Sequence, residues 1–136
     1  MTPEQWENLC DRCGLCCLVK LIDDNDPEER VHFTNVCCRL MDTATGLCQN
    51  YSQRKAHVPE CIVLRPDNLA DHVPHLPPSC AYKRLYEHKP LPEWHPLVTG
   101  QSHSVRNAGI SVAGRVVSET NVPDDGLESH IMDPQP

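Results

Sequence analysis

Apolar residues along this chain come in short bursts cut off by proline and acidic residues, and no burst is longer than a single small element. Thr2, Pro3 and Gln5 have the form of a capping box with proline in the first turn. Trp6, Leu9, Cys10 and Cys13 follow at i, i+3, i+4 and i+7, so the spacing predicts a helix from residue 3 to about residue 12, ended by Gly14. The apolar stretches 18–22 and 31–33 predict two short strands, and the acidic segment 23–30 between them predicts a hairpin turn. Residues 37–51 read as a compact turn unit with Thr45 and Gly46 at its tip. From Pro59 to Pro96 there are eight prolines, which makes this stretch mostly irregular. Two short helices are expected inside it, one at 67–72 and one capped by Ser79 that runs through Cys80 to about residue 88. Residues 110–117 form a third strand candidate, and 121–136 an acidic tail, loose or docked.

The fold class that follows is α+β: one small, loop-rich, irregular domain with short helices and a small antiparallel sheet. Its expected bounds are residues 1–120, with 121–136 as the tail. Composition says why such a domain needs help. Of 136 residues 39% are hydrophobic, yet nine of those are cysteines, and aromatics reach only 4%, so the side chains that usually dominate burial are scarce. Thirteen prolines add loops. A bound metal is the natural staple, because its binding energy becomes folding energy.

The cysteines supply the ligands for it. Cys10, Cys13, Cys16 and Cys17 fall within eight residues, and Cys37, Cys38, Cys48, Cys61 and Cys80 follow. Two residues between Cys10 and Cys13 let both sulfurs converge on one ion, and Gly14 tolerates the positive φ that aims backbone N–H groups at sulfur. Neighbouring side chains diverge, so Cys16 and Cys17 cannot easily grip one small ion. They suit two nearby centres, or one ligand plus a buried or bridging thiolate. Cys10, Cys13, Cys16, Cys17, Cys38, Cys48, Cys61 and Cys80 could then form two four-thiolate sites, their partition left open. Cys37 is expected to pack as a small hydrophobe, and for Cys80 that alternative stands level with a ligand role. Zinc is the first choice of metal; iron, mononuclear or as an iron–sulfur cluster, is its rival, since both accept four thiolates.

The chain's net charge of −7 argues against nucleic acid, despite Lys83 and Arg84. The first seven residues lack the basic start and apolar run of a secretion signal, and no stretch approaches the ~18 apolar residues of a membrane span. The expected location is the reducing cytoplasm, where structural disulfides rarely persist. Elsewhere the bland readings win. Pro74 disfavours a His72–His75 chelate, and Ser102 and Ser104 beside His103 lack a nucleophile's context. The run from Asp23 to Asp26 lacks the glycine and glutamate of a calcium loop. His95, in the rigid Leu91-to-Leu97 stretch, is expected to belong to a loop anchored by Trp94, with a ligand-orienting imidazole as the alternative.

The pattern Cys10-x-x-Cys13-Gly14-x-Cys16-Cys17, followed by Cys38, Cys48, Tyr51, Arg54 and Cys61, resembles the bacterial CxxCxxCC cysteine-cluster family of zinc- or iron-chelating domains. Residues 1–7, Phe33-Thr34-Asn35-Val36, Cys80-Ala81-Tyr82 and Leu91-Pro92-x-Trp94-His95-Pro96-Leu97-x-Thr99-Gly100 are similar to its YcgN-like branch. That resemblance implies metal chelation. A related branch acting as flagellin lysine methylase implies an iron–sulfur or methyl-transfer role, for which no glycine-rich cofactor loop is present here. A small residue is more usual in the branch at the position of Cys37. The expected function is therefore a cytoplasmic metal-binding protein, non-enzymatic, that presents a surface to another protein. The alternative is an iron–sulfur redox protein or an accessory of a modification reaction.

Overall fold

The computed structural model describes residues 1–59 and 61–136. Helix α1, Pro3–Asn8, starts with the capping box: Thr2 Oγ1 accepts from the Gln5 N–H and the Gln5 side chain accepts from the Thr2 N–H. It stops four residues short of the expected end, because Arg12 has φ of 60° and Gly14 of 83°, neither compatible with a helix. A 3-10 turn, Leu15–Cys17, leads into strand β1, Leu18–Ile22, which pairs antiparallel with β2, Val31–Cys37. The turn between them satisfies itself: Asp26 accepts from the Glu28 and Arg30 N–H groups and from the Arg30 side chain.

The sheet is mixed where an antiparallel one was expected. Strand β3 is only Val117–Ser118, and it lies parallel to β2, opposite Val36 and Cys37. The rest of the expected third strand is a loop, because Val112 is needed elsewhere. That side chain is buried, its N–H donates to the Cys13 carbonyl, and Gly114 turns the chain back with a positive φ. Beyond β3 the tail docks on β2. Gln135 accepts from the Phe33 N–H and donates to the Phe33 carbonyl, Ile131 bridges to Thr34, and His130 bonds Asn35. Thr34 and Val36 are fully buried as a result.

Short helices fill the rest: α2, Arg54–His57; α3, Leu69–His72; α4, Ala81–Tyr86; α5, Pro96–Thr99; and α6, Ser104–Asn107. Two apolar cores result. The first gathers Leu15, Leu18, Phe33, Met41, Val105 and Val112 around the hairpin, with Cys13 and Cys37 among them. The second gathers Leu9, Leu69, Val73, Leu76, Ala81 and Tyr82.

His95 ties these cores together. The ring is fully buried, its Nδ1 accepts from the Leu97 N–H at the start of α5, and its Nε2 lies 2.7 Å from the Leu9 carbonyl. Acceptance at Nδ1 puts the proton on Nε2, so the imidazole donates to Leu9, directly before Cys10. His95→Ala removes both bonds and leaves a cavity, so we expect a loss of about 3 kcal/mol in denaturant unfolding. A loss below about 1 kcal/mol, an ordinary surface value, would refute this role.

Candidate metal centre

Each cysteine is carried into place by a different local device. The hairpin register sets Leu18 opposite Cys37, and the Cys38 N–H donates to the Cys17 carbonyl, so the start of β1 and the end of β2 bring Cys17 beside Cys38. The turn unit 37–51 then folds back: Met41 bridges to Cys48 and the Gln49 N–H donates to the Leu40 carbonyl. Arg39 reaches the His57 carbonyl and pairs with Glu119, and Lys55 donates to the carbonyls of Pro59 and Cys61, which holds the Cys61 loop against this unit. On the other side, Trp6 of α1 stacks on Tyr82 of α4 at 4.7 Å between ring centroids. The Tyr82 hydroxyl donates to the Trp6 carbonyl, and Trp6 Nε1 donates to the Leu64 carbonyl. That docking brings Cys80, at the start of α4, to Cys10.

Electrostatics shows which thiols share a neighbourhood. Burial pushes the Cys10 thiol up to about 12, with Cys16, Asp11 and Cys80 adding to the rise and the Arg12 N–H opposing it. Burial also raises Cys13, together with Asp11, Cys16 and Cys10, and raises Cys80, together with Cys16 and Asp11. These four thiols form one group. The second consists of Cys17, Cys38, Cys48 and Cys61: Cys38 and Cys61 both act on Cys17, Cys48 acts on Cys38, and both Cys38 and Cys48 act on Cys61; Cys16 of the first group also acts on Cys17 and Cys61, so the two groups adjoin there. Cys37, fully buried in the first core, is influenced by Cys38 but is not among the influences on any thiol of either group, and is left outside both.

The groups meet at Cys16 and Cys17, whose thiols are hydrogen-bonded to each other. This bond, aided by the Lys20 charge, lowers the Cys16 pKa and raises that of Cys17, which keeps the proton. Lys20 Nζ donates to the Cys16 and Leu18 carbonyls and lies 5.4 Å from the Phe33 ring centroid.

The local geometry suits thiolates. Backbone N–H groups two residues on point at sulfur at Cys10 (Arg12, 3.4 Å) and Cys38 (Leu40, 3.5 Å), with the Leu15 N–H serving Cys13 in the same way. The N–H groups of Tyr82 and Lys83 lean toward Cys80 without closing a capping bond. One buried oxygen also asks for a cation. Asp11 Oδ1 accepts from the Cys13 N–H at 3.1 Å, while Oδ2 has no partner. Burying such an acceptor alone costs roughly 1–3 kcal/mol, more when charged. Donor chemistry and this orphan together fit a thiophilic cation. Among the described residues, though, no three Cys, His, Asp or Glu side chains already converge tightly enough to hold an ion. The thiols share neighbourhoods, and closing a shell would require Cys16 and Cys17 to exchange their mutual bond for their own groups.

The pairing of Cys10 with Cys80 and the part played by Asp11 were beyond sequence reasoning. The second had a signal: aspartate two residues before a buried N–H is the form of an Asx turn.

A small, loop-rich α+β domain rich in cysteine is the class of protein that these features define. The chain belongs to the UPF0260 family. A UPF0260 protein from Rhizorhabdus wittichii is 50% identical over 99% of this chain and 89% of its own length. One from Shewanella frigidimarina is 51% identical over 90% of the chain and 80% of its own, and one from Parvibaculum lavamentivorans 47% over 97% and 84%. No family model and no solved structure matches the chain. Among the described residues, no helix is long and apolar enough to cross a membrane.

Proposed function

We propose that this chain is a metal-binding protein that holds two ions, zinc first, through Cys10, Cys13, Cys16 and Cys80 on one side and Cys17, Cys38, Cys48 and Cys61 on the other. The observation that carries this reading is the mutual electrostatic influence of eight cysteines, distant in sequence, which falls mostly within two sets of four that adjoin at Cys16 and Cys17. The first group lies on the seam between the cores: Cys13 packs in one, while Cys10 and Cys80 border the other. An ion there would act as structural cement. The resemblance to the YcgN-like branch of the CxxCxxCC family agrees with this role. A cytoplasmic location and a protein partner complete it; α5 leaves Leu97 and Val98 more than half exposed as apolar surface.

A second reading, iron–sulfur electron transfer or assistance to a modification reaction, is favoured by one observation. Centres that diverge from neighbouring residues would lie close together. Anaerobic purification, elemental analysis and a visible spectrum divide the two. Colourless protein with two zinc ions per chain supports the first; brown protein with iron and acid-labile sulfide supports the second. Protein that takes up neither metal overturns both.

Proton release gives a sharper check. Three thiols in each group have raised pKa values, so each is more than half protonated at pH 9, where ordinary thiols with a pKa of 9.0 are half ionised. Zinc must displace those protons, so affinity falls as pH falls. Calorimetric titration in buffers of differing ionisation enthalpy should show between about three and four protons released per ion at pH 7, with more than half of that release kept at pH 9. A drop to about half at pH 9 would mean that the thiols are not shielded.

A further inference from the structure

Asp11 sits between two expected ligands, and the two-site reading gives it no task. Its position is unusual for a carboxylate: the residue is 9% exposed, and the Cys13 N–H fixes its orientation through Oδ1. Oδ2 then has no N–H, O–H or S–H donor within reach. Asp11 stands between Cys10 and Cys13, so this oxygen belongs to the same knuckle as two of the expected ligands.

From this placement we infer that Asp11 Oδ2 is itself a ligand, standing in for one of the four thiolates on a four-coordinate zinc and making the first site a mixed sulfur–oxygen site while the second stays all-sulfur. The inference rests on the two-ion reading and adds a difference between the ions. A carboxylate is a harder donor than a thiolate, so the first site is less selective for soft ions and the two sites load unequally. It also explains why the carboxylate is pinned: the Asx turn that opens the Cys10–Cys13 loop presents its second oxygen at the same time.

The test uses zinc as the probe on the full chain. X-ray absorption at the zinc edge of the two-zinc protein should show sulfur at about 2.3 Å plus one oxygen per two ions at about 2.0–2.2 Å. In Asp11→Asn, which keeps Oδ1 for the Cys13 N–H, that oxygen should vanish. One zinc should also weaken by more than the roughly 10–100-fold that loss of an outer-shell partner brings. The other zinc should be unaffected. A sulfur-only shell in the parent protein overturns the inference and leaves the two-ion reading standing, as does an oxygen that persists in Asp11→Asn. A turn-only role predicts normal zinc binding in Asp11→Asn but impaired binding in Asp11→Ala, and that outcome also overturns it. Should Asp11→Asn fail to fold, the parent spectrum decides alone. Failure of the parent chain to bind zinc at all sinks both proposals.

Discussion

Cys13→Ser is expected to lose about one of two bound zinc ions and to melt the domain, leaving most of the product insoluble. Two effects combine at one atom. Cys13 is 7% exposed and packs among Leu15, Leu18, Phe33, Met41, Val105 and Val112. A serine hydroxyl there meets hydrocarbon, and an unpartnered buried hydroxyl costs roughly 1–3 kcal/mol. Loss of the ion matters more. Apparent binding energies of structural zinc are about 10–16 kcal/mol, comparable with the whole stability of an ordinary domain at about 5–15 kcal/mol.

Cys37 separates the two effects. It is fully buried in the same core but lies outside both cysteine groups. Cys37→Ser should therefore cost about 1–3 kcal/mol with both ions retained. Cys37→Ala, a loss of one sulfur's packing, should cost about 1 kcal/mol. Zinc content and thermal unfolding, measured side by side, give the answer. Equal stability losses in Cys13→Ser and Cys37→Ser, with two ions in each, would show that both cysteines are merely buried and that sulfur–metal bonds do not hold this fold.

What the sequence disclosed and what it hid follow a physical line. The capping box and β1 were legible because each is settled by residues within a few positions. Strand β2 runs four residues beyond its expected end, through Thr34 and Asn35. Those polar residues look like a turn in isolation, yet Thr34 Oγ1 donates to the Val19 carbonyl and the tail covers the strand. The early end of α1 was hidden because Arg12, a non-glycine residue, adopts positive φ in the knuckle. The neighbours of Cys80 and Cys61 depend on long-range docking, the tilted Trp6–Tyr82 ring contact for the first and the Arg39–His57 contact for the second. No local pattern carries that information.

The same knuckle makes Gly14→Ala the most damaging single methyl group that the fold can receive. Gly14 has φ of 83°, a conformation that costs a non-glycine residue roughly 1–2 kcal/mol before any contact is counted. A Cβ would then stand 2.5 Å from Val112 Cγ2, 3.1 Å from the Gly46 carbonyl oxygen and 3.1 Å from Met41 Cε. Met41 can swing aside. Val112 cannot do so freely, because it is 3% exposed and its N–H is bonded to the Cys13 carbonyl. Relief has to come from moving the backbone between Cys13 and Cys16, which pulls the first cysteine group apart. We expect a loss of at least about 3 kcal/mol, the sum of backbone strain and overpacking, together with weaker zinc binding at the first site. Gly109, which has a φ of 76° and open space around it, is the control. Gly109→Ala carries the strain alone and should cost about 1–2 kcal/mol with zinc binding unchanged. Denaturant unfolding and zinc titration of both variants test the claim, and equal losses with equal zinc affinities would show that the close approach of Val112 to the knuckle does not govern the site.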